Sequence, residues 1–457
     1  MQVPAALLKS LQTVTGFDEE AFVQVHAREE WVTSVRRNPF KIFNKSSSIF
    51  NARLERVPWS SEGYYLPERP SFTLDPLFHA GAYYVQEASS MFLEEAIRQT
   101  VDLSLPLRAL DACAAPGGKS TLLQSLISKE SLLVANEVIK PRVNILTENI
   151  TKWGAANVIV TNNDPRDFQR LPGYFDLIVV DAPCSGSGLF RRDPAAATEW
   201  SENNVQLCSQ RQQRILADLL PALKEGGVLV YSTCSYSPEE DEELLDLLMD
   251  TGELENLVLN IQSFPGIVAT GSIKHEASGY RFYPDKIKGE GFFIAVFRKT
   301  TATPASKPAP PKSKPGNIAA KAGALLATYL RHPDAFVFRP QQDQVLALPV
   351  AMESELLTLQ GACYIRKAGI SMGTLIRDEL LPDHALAMSD EVLAEEQRFS
   401  LDLATARQYL RREDIRLDGA PKGWVLLCYE QLPLGWAKVL PNRINNYYPR
   451  EWRILNK

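Results

Sequence analysis

Between residues 105 and 297 short apolar runs alternate with amphipathic stretches, and no other feature narrows the possible folds as much. Residues 105–110, 132–135, 157–161, 175–180, 227–231 and 292–297 read as strands. Helices are expected over residues 121–128, over 141–153 with Pro141 in the first turn, and over about 203–223. Another begins at Ser237, placed to cap it, with Glu239 to Glu243 supplying acids at the positive end of its dipole. Residues 175–180 form an almost unbroken apolar run, which suits a strand covered on both faces. Such alternation predicts an α/β architecture with a parallel, doubly wound sheet.

At 457 residues the chain is too long for a single core. The segment 300–316 is dominated by Pro, Ala and Lys and offers nothing apolar to bury, so it reads as a solvated, semi-extended linker. The expected division is a small α/β appendage at 1–74, a catalytic domain at 75–300, the linker at 301–317, a mixed subdomain at 318–394 and a β-rich module at 395–457. No apolar run approaches a membrane span, and the first residues lack the basic start, apolar stretch and cleavage site of a secretion signal. Six sparse cysteines without metal-ligand spacing imply reduced thiols, no metal and a cytoplasmic setting. A net charge of −6 argues weakly against a polyanionic partner, but basic residues cluster locally. The clusters are Arg36, Arg37, Lys41 and Lys45; Arg191 and Arg192; and the tail from Lys438 and Arg443 through Arg450 and Arg453 to Lys457.

In doubly wound sheets ligands bind beyond the carboxyl ends of the strands. Each strand here delivers chemistry-bearing residues to that edge. The first ends in Asp111 and the loop Cys113-Ala114-Ala115-Pro116-Gly117-Gly118-Lys119, the second in Glu137, the third near Asp164, the fourth in Asp181 and Cys184, the fifth in Cys234. The loop is not a nucleoside-triphosphate loop, because Cys113 stands where the first glycine of that motif belongs. Gly117 and Gly118 nonetheless let backbone approach a ligand, and Glu137 stands where a carboxylate grips ribose hydroxyls. Two thiols, in Asp181-Ala-Pro-Cys184 and Ser232-Thr-Cys234-Ser235, suggest covalent chemistry on a pyrimidine ring. A thiolate added at carbon 6 of cytosine breaks aromaticity and makes carbon 5 enamine-like, able to attack a methyl sulfonium. A free thiol, with a pKa of about 8.5, needs help to ionise, and expelling it after transfer calls for a second group. On the residues alone either cysteine can be the nucleophile. Cys208, Cys363 and Cys428 read as buried apolar filling.

These motifs, with Gly81-Ala-Tyr-Tyr-Val-Gln-Glu-Ala-Ser-Ser90 and Gly289-Glu-Gly-Phe-Phe293, resemble the Nop/Sun family of RNA cytosine-C5 methyltransferases. The resemblance covers most of the chain and is strongest over 81–298. It implies a Rossmann-like fold dependent on S-adenosylmethionine. The flanks resemble the subgroup acting on 16S ribosomal RNA of the small subunit, with Gly435-Trp-Ala-Lys438 and residues 441–449 matching a PUA-like RNA-binding module. By this resemblance Cys234 is the nucleophile, Cys184 assists product release, and Asp181 hydrogen-bonds the base as ring nitrogen 3 is protonated. Residues 113–119, Glu137, Arg142, Asp164 and Asp181 would hold the cofactor, Asp164 at the adenine amino group and Arg142 either on the cofactor or fixing Glu137. Lys119 either orients the loop or meets Asp181 or the target base.

The target base must leave its stack to be reached. Arg36, Arg37, Arg191, Arg192, Arg281, Lys438 and Arg443 are the expected RNA contacts, and Tyr447 and Tyr448 either stack on RNA or belong to the core. A monomer acting on 16S rRNA or the 30S subunit is expected. A transfer-RNA methyltransferase of the same chemistry, or a non-catalytic RNA-binding assembly factor, are the alternatives. In Arg281-Phe-Tyr-Pro-Asp285 many relatives carry histidine after the proline, so no role of that histidine carries over to Asp285.

Overall fold

The computed structural model describes residues 3–28, 30–43, 49–50, 53–303, 316, 318–393 and 395–455. Most of the expected linker, Lys45 and Lys457 lie outside these residues.

One large sheet organises the molecule. Edge to edge it runs Val268–Gly271, Ser278–Phe282, Phe292–Lys299, Leu223–Thr233, Phe175–Asp181, Arg108–Asp111, Leu132–Asn136, Val158–Thr161 and Ile365–Ala368. The five strands from Leu223–Thr233 to Val158–Thr161 are parallel. Strand order reverses beside Arg108–Asp111, which opens a crevice between its carboxyl end and that of Phe175–Asp181. Side chains alternate along these strands, and both alternate sets are apolar. Leu110, Val134, Ile159, Ile178, Leu229 and Tyr231 face one core. Ala109, Leu133, Val160, Leu177, Val179 and Val230 face the other. This is the double coverage that the unbroken apolar runs imply.

The sheet departs from the expected all-parallel form at both edges. Phe292–Lys299 runs antiparallel to Leu223–Thr233 and continues into an antiparallel pair with Ser278–Phe282. At the other edge Ile365–Ala368, from the C-terminal half, pairs antiparallel with Val158–Thr161. The segment expected as the first C-terminal subdomain thus supplies an edge strand to the catalytic sheet. Ser237 does not cap a helix. Its hydroxyl has no hydrogen-bond partner among the described residues, Pro238–Glu240 forms a short 3₁₀ turn, and the helix Glu242–Asp250 follows.

The expected boundary at residue 74 falls inside the N-terminal unit, whose sheet of Thr33–Arg37, Gly63–Leu66 and Tyr83–Val85 closes only with the last of these strands. The N-terminal unit and the C-terminal module of Arg398–Ser400, Gly423–Tyr429, Leu432–Leu440 and Arg443–Asn446 share one hydrophobic core. Val35, Leu66, Leu77 and Tyr83 pack there with Tyr409, Val425, Leu427 and Tyr448. Tyr448 is thus a core residue, and Tyr447 packs its ring 4.6 Å from Trp424.

Candidate functional site

The crevice at the strand reversal gathers the residues expected there. Arg108–Asp111 ends in Asp111, which is fully buried and takes a hydrogen bond of 2.6 Å from the Ser120 hydroxyl. Its Oδ1 has no hydrogen-bond partner among the described residues. Burial, reinforced by the Asp181 charge, pushes the Asp111 carboxyl up to about 7. The loop then turns through a cis Ala115-Pro116 peptide and through Gly117, whose φ of +117° suits glycine, into the helix Gly118–Leu126. Burial pushes the Cys113 thiol well up, with the charges of Asp111, Asp181 and Glu137 adding to it, so this cysteine stays a neutral thiol.

Two neighbours hold the loop. The Ala114 amide donates to the Asn136 carbonyl, and the Asn136 side chain donates to the carbonyls of Ala112 and Asn163. Arg142, on the helix Lys140–Trp153, donates to the Ala115 carbonyl at 2.6 Å and lies 3.4 Å from Glu137. Arg142 therefore fixes both the loop and the glutamate. Glu137 also accepts from the Ile139 amide. Asp164 caps the turn Pro165–Arg170 and lies 3.6 Å from Arg214. The Gly117–Gly118 turn, the partnerless Asp111 oxygen and the Glu137 carboxylate form a cradle suited to S-adenosylmethionine, whose amino group and ribose hydroxyls are the donors such oxygens lack. Asn136, which clips the loop, was not singled out from the sequence. A polar residue closing the buried run Leu132–Ala135 was the available signal.

The two expected cysteines converge. Cys184 Sγ lies 3.1 Å from Cys234 Sγ. The hydrogen bond to Cys234 and burial push the Cys184 thiol well above its ordinary range, and the Cys234 and Glu240 charges add to this. Lys119 Nζ sits 2.7 Å from Asp181 Oδ2, and the Ser232 hydroxyl donates to Asp181 Oδ1. Burial works against the Lys119 charge, but Asp181 and Cys234 outweigh it and hold the ammonium above its usual range. Lys119 also lies 5.2 Å from the centre of the Phe292 ring. Such a site offers a protonated thiol, a second thiol beside a cation, and a carboxylate fixed by two donors.

The loops carrying these thiols lock together. The Gly188 amide donates to the Cys234 carbonyl at 2.8 Å, and the Gly291 amide donates to the Gly188 carbonyl. Glu240, another residue missed from the sequence, accepts from Ser185 and Ser235, which follow the two cysteines. The run Ser237-Pro-Glu-Glu-Asp-Glu-Glu reads as a helix start, with nothing to say which acid turns inward.

Several expected RNA contacts are instead structural. Arg36 is buried, donates to Gln86 and Thr121 at 2.8 and 2.6 Å, and lies over the Trp153 ring. Arg281 is buried against Glu242 and Asp241. The Arg191 side chain is 7% exposed and faces Glu290. None of the three guanidiniums is free to meet a phosphate. Arg37 is half-buried on Glu62, Lys438 pairs with Glu379 over the Trp424 ring, and Arg192 and Arg443 are exposed. Asp285 pairs with Lys286. A cavity of about 810 Å³, lined in part by Ile127, Ala155, Phe336 and Val350, lies at the amino ends of the strands and holds none of the cysteine or cofactor-loop residues.

Three family models match the chain. "16S rRNA methyltransferase RsmB/F" matches residues 102–298, "N-terminal domain of 16S rRNA methyltransferase RsmF" matches 3–88, and "Methyltransferase RsmF PUA domain" matches 396–454. The chain is 33% identical over 441 residues to Ribosomal RNA small subunit methyltransferase F of Shigella dysenteriae serotype 1, covering 92% of this chain and 89% of that one. It is 34% identical over 445 residues, at the same coverage, to the protein of that name from Escherichia coli O139:H28. Among solved structures, a methyltransferase homolog protein from Pyrococcus horikoshii aligns with a TM-score of 0.52 and 29% identity, over 65% of this chain and 100% of that one. NSun6 from Pyrococcus horikoshii shares the fold, with a TM-score of 0.54 and 20% identity over 65% of this chain and 98% of that one.

Proposed function

Because the chain belongs to the 16S rRNA methyltransferase RsmB/F family, we propose that it methylates carbon 5 of cytosine in 16S ribosomal RNA, using S-adenosylmethionine. The finer reading is that it acts in the cytoplasm, as a monomer, on 16S rRNA or the 30S subunit. The observation that carries the chemistry is the 3.1 Å approach of Cys184 to Cys234 beside the Lys119–Asp181 pair.

When bound, S-adenosylmethionine supplies an electrophilic methyl group on a sulfonium. The Gly117–Gly118 turn, Asp111, Glu137 and Asp164 are the residues suited to hold it. Cys234 is the nucleophile in this reading, as the family resemblance implies, and Lys119 sets a positive charge toward it. The Cys234 thiolate adds to carbon 6 as ring nitrogen 3 takes up a proton from water, which leaves the adduct neutral, and the Asp181 carboxylate is suited to accept from that N3–H and to balance the positive charge that methyl transfer then places on the ring. Once carbon 5 carries the methyl group, its proton leaves to water, the Sγ–carbon 6 bond breaks and returns its electron pair to Cys234, and ring nitrogen 3 gives up the proton it took. Cys184, at hydrogen-bond distance from that sulfur, supports the departing thiolate by donating to it.

The test is adduct formation with 16S rRNA and labelled S-adenosylmethionine. Cys184→Ala is expected to accumulate protein covalently joined to RNA, whereas Cys234→Ala forms no adduct and transfers no label. An adduct with Cys234→Ala reverses the roles, and no transfer by the wild type to naked rRNA, 30S subunits or transfer RNA overturns the activity.

A further inference from the structure

Glu240 lies outside the strands that supply the reactive groups, and it binds both cysteine loops. Its side chain is fully buried. Oε1 accepts from the Ser185 amide at 2.8 Å and from the Gln212 amide group at 3.0 Å. Oε2 accepts from the Ser185 hydroxyl at 2.5 Å and from the Ser235 hydroxyl at 2.6 Å. Ser185 follows Cys184 and Ser235 follows Cys234, so one carboxyl ties together the residues next to both sulfurs. Further bonds fix its own position. The Tyr231 hydroxyl donates to the Glu240 carbonyl, and Gln212, on the helix Glu202–Leu219, also donates to the Pro183 carbonyl. The Ser235 hydroxyl receives the Ser237 amide, so its proton is left to point at Glu240.

We propose that Glu240 is a positioning residue that assigns the two thiols their different roles, by locking the Cys184 and Cys234 loops in register and by setting a buried negative charge on the Cys184 side. This rests on the cysteine chemistry proposed above and adds what makes the pair asymmetric. The amide and side-chain donors at Oε1 suit an ionised carboxylate. Burial raises the Glu240 carboxyl, but hydrogen bonds from Ser185, Ser235 and Gln212 pull it back. Its charge is among the causes that keep the proton on Cys184.

Other charged and titratable groups around the pair do not repeat this arrangement. Lys119, paired with Asp181, sets its charge toward Cys234. Tyr231 and Cys208 face Glu240 as neutral groups, each held well protonated by burial. Asp241 and Glu242 are turned to Arg281.

Glu240→Gln separates charge from geometry. A glutamine can keep Oε1 as an acceptor and turn its NH₂ to the two serine hydroxyls, which also accept. Glu240→Ala removes both. Three readouts are compared in full-length protein: kcat and cofactor KM on 16S rRNA, thermal stability, and the pH profile of iodoacetamide alkylation at Cys184 and Cys234, resolved by peptide mass spectrometry. Glu240→Ala is expected to lose kcat by roughly 100-fold with cofactor KM little changed, as misplaced reacting groups do. Glu240→Gln is expected to recover most of that loss, while Cys184 alkylates at lower pH than in the wild type. Wild-type kcat in folded Glu240→Ala overturns the positioning role. A Cys184 profile in Glu240→Gln that superimposes on the wild type overturns the charge, and Glu240→Gln decides alone if Glu240→Ala does not fold. If the wild type transfers no methyl group to RNA, the proposed activity fails while the alkylation profiles still decide the role of Glu240.

Discussion

Arg36 spends a buried charge on holding the cofactor loop in place. Its guanidinium reaches Gln86, Thr121 and the Gly118 carbonyl, and lies 4.6 Å from the Trp153 ring centre. Burial lowers its pKa to about 9 even though the charges of Glu94, Tyr84 and Glu62 pull the other way. Removing the side chain takes the donor from Gln86 Oε1 and Thr121 Oγ1, both buried, at about 1–3 kcal/mol each, while the Gly118 carbonyl keeps only the Thr121 hydroxyl. Arg36→Ala is therefore expected to lose about 2–4 kcal/mol in urea unfolding and to raise the cofactor KM through Gly118. The slope of log affinity for RNA against log salt should stay unchanged, since that slope counts phosphate contacts. A slope reduced by about one would return Arg36 to the RNA surface. The sequence shows why this residue was misread. Arg36 and Arg37 adjoin on the strand Thr33–Arg37, so their side chains point to opposite faces, one inward and one to Glu62. Period two says that one of them is buried but not which, and that depends on the later strand Tyr83–Val85 and the helix Gly118–Leu126. The reactive residues were legible for the opposite reason, because each follows directly on an apolar strand whose end is fixed by its own composition.

The same contrast holds for elements. Parallel strands flanked by helices announce themselves through long apolar runs, and five were readable. Direction is not written in composition, so Phe292–Lys299 could not be known to run antiparallel until its partner Ser278–Phe282 was seen. Ile365–Ala368 lies about 200 residues from its partner, and its short pattern carries no mark of that pairing. The cysteine-bearing loops show how an element's placement is enforced. A Cβ on Gly188 would stand 2.7 Å from the Cys234 carbonyl oxygen and 2.6 Å from that of Gly291, both backbone atoms that cannot swing aside. Gly188→Ala should push the two loops apart and break the bond from the Gly188 amide to Cys234. Folding tolerates such overpacking at a cost of about 1–3 kcal/mol. The chemistry tolerates it less, because a displacement of about 1 Å can cost roughly 100-fold. The expected result is a protein that folds and keeps cofactor affinity but has roughly 100-fold lower kcat and a matching fall in adduct yield in the Cys184→Ala background. Unaltered kcat would show that the sulfurs are positioned without this contact.

The N-terminal unit and the C-terminal module share a core, and two buried histidines sit at their junction. His79 faces the Tyr448 hydroxyl at 3.2 Å and the Thr73 carbonyl, while His384 packs its ring 5.3 Å from Tyr448 and 5.0 Å from Trp452. Burial lowers His79 to about 4 and His384 to about 3, with Lys152 adding to both and Lys41 to His384. Lys41 itself reaches across to the Met388 carbonyl. An unfolded histidine takes its proton near pH 6.5, whereas these two refuse it until about 4 and about 3. Between those values the unfolded chain binds more protons, so stability rises with pH. Their contribution is fully present above pH 6.5 and is lost as pH falls toward their folded values. Glu290 and Asp111, both raised to about 7, titrate in the opposite sense across this range, so a bare wild-type profile mixes the two effects. A difference measurement isolates the junction. Moving from pH 6.5 to 5 should cost the wild type on the order of 2–4 kcal/mol more than His79→Gln/His384→Gln, read as the gap between their urea midpoints. Hydrogen exchange at pH 5 should then rise first in the strands Tyr83–Val85 and Leu432–Leu440, ahead of the catalytic sheet. Equal losses in the two proteins would mean that neutral imidazoles at this seam do not hold the N-terminal unit and the C-terminal module together.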